Sequence, residues 1–182
     1  STWKQMEQSA RNAKLPAWIA EAERTDKPCQ EMQAWLEKLY TTHREDLRGS
    51  SWFVLDAEGD QLGRFPVGQF GDEGIRNFAH KSYFHGQELS TVFWSSSDRC
   101  RKIAYSVPIP SEENPRQPLG VLVMTVRVGD VKLLDISLDD QVDRQALLVD
   151  LRADWQQRVA TVLQHPDVRE ERLPPQAALR LQ

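Results

Sequence analysis

Residues 119 to 128 read Leu-Gly-Val-Leu-Val-Met-Thr-Val-Arg-Val, which is apolar at both strand parities. A strand covered on both faces has to lie inside a sheet, with material packed above and below it. The run is also far too short to span a bilayer as a helix. Four other strands are expected around it. Ser51 to Asp56 is followed by the turn Ala57-Glu58-Gly59-Asp60 and by a hairpin partner from Leu62 to Pro66. Thr91 to Ser95 is a third strand and Lys102 to Ile109 a fourth. A polar, proline-containing turn from Ser111 to Pro118 then leads into the apolar run, the fifth. Connections this tight favour an antiparallel sheet.

Ahead of the sheet the period is helical. Residues 1 to 24 carry apolar points at Trp3, Met6, Ala10, Trp18, Ile19 and Ala22, with Pro16 interrupting or restarting the helix. Met32, Trp35, Leu36, Leu39, Tyr40 and Leu47 form one buried stripe on a helix of roughly 17 residues. Asp26 or Thr25 is its expected cap, and Gly49 its end. After the sheet, 131 to 143 is helical or irregular, and Ala146 to Asp150 with Val159 to Leu163 reads as one more strand pair. The tail is polar and contains Pro174 and Pro175, as in a piece of a longer protein. The expected fold is therefore α+β. It divides into a helical segment (1–48), a sheet core (49–130) and an extension with a strand pair and tail (131–182).

Composition narrows the function. With 182 residues, 40% hydrophobic and 27% charged, the chain can bury a core. Its net charge of -4 and lack of a basic stripe argue against a nucleic-acid partner. No Gly-x-Ser-x-Gly elbow, Walker loop, Gly-x-Gly-x-x-Gly or Cys-x-x-Cys is present, and nothing pairs a nucleophile with a base. No cofactor and no enzymatic activity are expected. The histidines are His43, His80, His85 and His165; His80 and His85 miss the i, i+4 spacing of a helical zinc site, and no metal is assigned. Cys29 and Cys100 are compatible with one disulfide or two free thiols.

The informative stretch is Asn77-Phe78-Ala79-His80-Lys81-Ser82-Tyr83-Phe84-His85-Gly86. Loops run over the surface and are usually polar. A loop this rich in rings either covers a sheet face or walls a cavity. Phe78 and Phe84 are expected to cover the sheet. Lys81 and Tyr83, a cation and a hydroxyl among the rings, suit a pocket for a small anionic or zwitterionic ligand.

Four segments in order resemble the extracellular Cache (PAS-like) sensor domains of bacterial receptors. They are Trp52-Phe53-Val54-Leu55-Asp56-Ala57-Glu58-Gly59, the 77–86 loop, Ala104-Tyr105-Ser106-Val107-Pro108-Ile109, and Leu119-Gly120-Val121-Leu122-Val123-Met124-Thr125-Val126. The resemblance covers about 30 to 130. The stretch after 145 resembles extensions of receptor Ser/Thr kinases, and a histidine kinase is the other receptor type that the resemblance implies. The resemblance implies a five-stranded antiparallel sheet behind a long N-terminal helix, held outside the membrane and tethered to it in the full-length protein. It also implies a small-molecule ligand (amino acid, carboxylate or amine), a cytoplasmic output module, and a homodimer through the N-terminal helices. A ligand-free dimerisation module is the alternative. The implied ligand-facing residues are His80, Lys81 and Tyr83 from the loop, Trp94 and Ser95 from the third strand, and Ser106 from the fourth. Trp94 alternates with Phe93, so one of the two faces the pocket; Trp94 is expected to be that residue. Lys81 stands where the family has arginine, and His80 would make binding pH-sensitive. Asp56 and Asp150 are expected to cap turns.

Overall fold

The computed structural model describes residues 2–25, 27, 29–47, 49–67, 77–85, 90, 92–95, 100–114, 116–127, 148–150 and 161–164. Three helices, α1 (Thr2–Ala10), α2 (Leu15–Thr25) and α3 (Gln30–Leu47), precede the sheet. Its strands are β1 (Ser51–Asp56), β2 (Gln61–Phe65), β3 (Phe93–Ser95), β4 (Cys100–Ile109) and β5 (Gly120–Arg127). They lie in the order β2-β1-β5-β4-β3, and all neighbours are antiparallel. The doubly apolar strand is thus central, as its composition requires. A separate two-stranded sheet pairs β6 (Leu148–Asp150) with β7 (Thr161–Gln164). No described helix is long and apolar enough to cross a membrane.

Strand parity divides the core in two. Trp52, Val54, Ile103, Val107, Ile109, Leu122, Met124 and Val126 face the helices and pack with Met6, Leu15, Ile19, Met32 and Leu36. Aromatic pairs stitch the two layers, with Trp3 on Tyr105 at 4.9 Å and Tyr40 on Phe65 at 5.2 Å. Phe53, Leu55, Ala104, Val121 and Val123 face the other way, onto Tyr83, Phe78, Phe84 and Phe93. Phe78 and Phe84 therefore cover the sheet as expected.

Several local expectations shift. The break between the first two helices falls before Pro16, at a turn where the Asn12 side chain accepts from Lys14 N at 3.1 Å. Pro16 is the second residue of α2, where a missing N–H costs no helical bond. Thr25 closes α2 rather than capping α3, its hydroxyl donating to the Glu21 carbonyl at 2.9 Å. Asp26 lies outside the described residues. Both cysteines are free thiols, Cys29 in the helical core and Cys100 at the start of β4. His43 rests beside the Trp52 ring, with centroids 6.2 Å apart.

The β1–β2 turn carries the ring-rich loop. Asp56 caps it, one carboxylate oxygen accepting from Glu58 N at 3.0 Å and Asp60 N at 2.8 Å. Asn77 then reaches back to the Glu58 carbonyl and the Asp60 carboxylate, and Phe78 N donates to Gly59 O at 2.7 Å. Gly59 has φ +89°, and a Cβ there would lie 2.7 Å from Ala79 N. Gly59→Ala meets both the left-handed backbone penalty, about 1–2 kcal/mol, and a backbone clash. It should lower the melting temperature by roughly 5 °C and loosen the loop, as read by thermal unfolding and by amide exchange at Phe78.

Candidate functional site

On the sheet face away from the helices, a cavity of about 80 Å³ is lined by Ser51, Phe53, Gln61, Arg64, Phe78, Lys81, Tyr83, Phe93, Trp94, Ser95, Lys102 and Thr125. Each group arrives by parity. Phe53 opposes Arg64, Ser51 opposes Thr125, Phe93 opposes Lys102, and Ala104 opposes Thr125. The loop adds Phe78, Lys81 and Tyr83 as a lid of rings.

The lining brings three cations together and contains no carboxylate among the described residues. Lys81 Nζ lies 5.8 Å from the centre of the Phe93 ring, a distance at which a cation is attracted to the ring face. Lys102 is only 1% exposed and donates from Nζ to Thr125 Oγ1 at 3.3 Å. Thr125 Oγ1 in turn pairs with the hydroxyls of Ser51 at 2.6 Å and Ser50 at 3.0 Å. This short hydroxyl chain gives the buried ammonium an acceptor. Burial, then the positive charges of Arg64 and Arg127, push the Lys102 ammonium down to about 7. Tyr83 is 3% exposed between Phe53 (5.9 Å, edge-on) and Phe93 (5.3 Å). Burial raises its phenol far above the ordinary value, with Arg64 opposing the shift. The phenol is thus neutral, a hydroxyl rather than a charge.

Of the residues expected from sequence, Lys81, Tyr83, Trp94 and Ser95 border the cavity, while His80 and Ser106 do not. His80 is exposed at the apex of a turn closed by Lys81 N on the Phe78 carbonyl at 2.9 Å. Its imidazolium is disfavoured first by burial and then by Lys81. Ser106 has the right parity, opposite Val123, but is buried further along β4 than the cavity extends. Phe93 and Trp94 both border the cavity, so the expectation that only one of them would does not hold. Phe93 contacts Tyr83 and Lys81, whereas Trp94, paired with Arg101, reaches only the rim and is 56% exposed.

Arg64 and Lys102 were not anticipated. A signal existed for Lys102, because it shares a strand face with Ala104 and Ser106 on a strand buried on both sides. A charge at such a place is costly unless it has a use. Arg64 gave less, since a charged residue on a hairpin edge ordinarily faces water.

Two groups of ligand-type atoms lie away from the cavity, Glu21–Cys29–Glu31 and Glu23–Asp56–Glu58. Both are explained locally. The Cys29 thiol donates to Glu31 at 3.2 Å, and Asp56 is occupied by its turn. Among histidines considered for a metal, His165 and the His85 side chain lie outside the described residues.

The depressed Lys102 value makes a pH prediction. Between about 7 and the ordinary lysine range near 10.5, the unfolded chain holds a proton that the folded one lacks. Stability therefore rises with pH across that window. The gain is on the order of a few kcal/mol at most, one pKa unit being about 1.4 kcal/mol. Chemical denaturation at pH 7 and pH 9.5 should show the increase, and Lys102→Met should remove it.

No protein-family model matches the chain, and no curated protein matches it by sequence. Among solved structures, it is similar to the sensor domain of the histidine kinase DctB from V. cholerae, with a TM-score of 0.52 and 19% identity. The match covers 68% of this chain and 46% of that one, so the chain spans about half the length of its neighbour. The three helices and five-stranded antiparallel sheet are thus an α+β fold shared with that sensor domain.

Proposed function

We propose that this chain is the extracytoplasmic sensing domain of a membrane signalling receptor, and that its cavity binds a small anionic ligand, a carboxylate or the carboxylate end of an amino acid. The observation that carries this reading is the convergence of Arg64, Lys81 and Lys102 among the aromatic walls of the cavity. The shared fold with a kinase sensor domain supports the sensing role.

The chemistry follows from the residue types. Arg64 offers a planar fork that can grip a carboxylate through two parallel hydrogen bonds. Lys102 and Lys81 supply point charges. Tyr83 and Thr125 offer hydroxyls that suit a second polar group. A cavity of about 80 Å³ has room for several waters, and so for a small carboxylate. Binding would relay through the helical layer to a cytoplasmic output module, with a homodimer through the N-terminal helices belonging to the same reading.

A thermal-shift screen at pH 6.5 against mono- and dicarboxylates, α-amino acids, inorganic phosphate and diamines tests this. A carboxylate at 100 times its dissociation constant should stabilise by about 2.7 kcal/mol, a rise of several degrees. Arg64→Gln and Lys102→Met should fold and lose that response. Stabilisation by diamines alone, or silence across the carboxylates, would sink the anion reading and favour a ligand-free dimerisation module.

The same geometry predicts pH-dependent affinity. An anion binds best when Lys102 is charged, so affinity should fall as pH rises through about 7. Titration calorimetry of a hit at pH 6 and pH 8.5 checks the sign, and the dependence should vanish in Lys102→Met.

A further inference from the structure

We infer that Gln33 is a positioning residue that ties Arg64, and with it the cavity, to helix α3. Arg64 lies on β2, the open edge of the sheet, opposite Phe53. On such a strand every second residue turns its N–H and C=O away from the sheet. At Arg64 both groups meet one side chain from α3. The Gln33 amide nitrogen donates to the Arg64 carbonyl, and Arg64 N donates to Gln33 Oε1 at 3.1 Å. A side-chain amide carries a donor and an acceptor side by side, so Gln33 occupies the place of a neighbouring strand at this one residue.

A second observation shows that the approach is built in. The next residue back on β2 is Gly63, and a Cβ there would lie 3.1 Å from Met32 Sδ, 3.2 Å from Leu36 Cδ1 and 3.3 Å from Gln33 Oε1. The helix is seated against the strand backbone where the strand has no side chain. Met32 and Leu36 are fully buried on either side of Gln33, which holds the helix turn in register with Arg64. The Arg64 side chain faces the cavity while its backbone is held by α3. A force on the guanidinium therefore has a two-bond path into the helical layer, without passing through β1 or β5.

This deepens the sensing reading, and it is tested with no ligand present, so the two can fail separately. Amide hydrogen exchange along α3 is compared in the wild type, Arg64→Ala, Gln33→Leu and the double variant. Arg64→Ala should change exchange of the α3 amides around Leu36 by roughly threefold or more when Gln33 is present, and by much less in Gln33→Leu, since groups in direct contact are non-additive. Gln33→Glu keeps the acceptor for Arg64 N but loses the donor. It should retain part of the effect, and it supplies the same comparison should Gln33→Leu not fold. A purely structural Gln33 would shift the baseline alone. Equal Arg64→Ala effects with and without the glutamine amide would overturn the inference.

Discussion

A strand with apolar side chains on both faces is stable only where both faces are covered, and β5 imposes that condition on the whole molecule. It lies between β1 and β4, so their two faces are committed as well. One face is covered by α1, α2 and α3, which bring most of the large buried side chains. The other is covered by a loop whose only means of doing so is its rings. A short segment with a single turn of 3-10 helix, Ser82–His85, brings its apolar area in a few large side chains, Phe78, Tyr83 and Phe84. The loop stays in place because Asp56, Gly59 and Asn77 fix its start at the β1–β2 turn.

At one end of the sheet the strand faces turn polar. Ser51, Thr125, Arg64 and Lys102 continue the parity of Phe53, Val123 and Ala104. Burial first, and then the like charges of Arg64 and Arg127, make the Lys102 ammonium costly, which is why it loses its proton so readily. Ser90 shows the same economy at the opposite edge. Its backbone and hydroxyl bond Ala104 on both groups at 2.8 Å, where β3 is too short to reach. Gln33 at Arg64 and Ser90 at Ala104 are two single-residue substitutes for a missing strand, and Gln33 connects the sheet to α3.

Much of the fold was legible in the chain, because it rests on local periodicity. The apolar run from Trp52 to Leu55, the doubly apolar 119–128 run and the helical stripe from Met32 to Tyr40 are each a pattern that one segment carries alone. The site was legible only in part. Lys81 and Tyr83 stood out as a cation and a hydroxyl among rings. His80 stood out in the same way and is exposed, because a turn apex is decided by the Phe78–Lys81 hydrogen bond and not by composition. Trp94 and Phe93 differ by one residue, and a strand gives no sign of which parity faces inward until its register with β4 is set.

By itself, then, the sequence determined the α+β class, the central strand and the loop that covers the sheet's second face, because hydrophobic period and turn chemistry act over a few residues. Only the tertiary structure decided which charges share a cavity. Arg64, Lys81 and Lys102 come from a hairpin edge, a loop and a strand that are distant in sequence. Their meeting depends on antiparallel register and on the helix seated at Gly63, and long-range pairing of that kind leaves no mark on the residues next to each one in the chain.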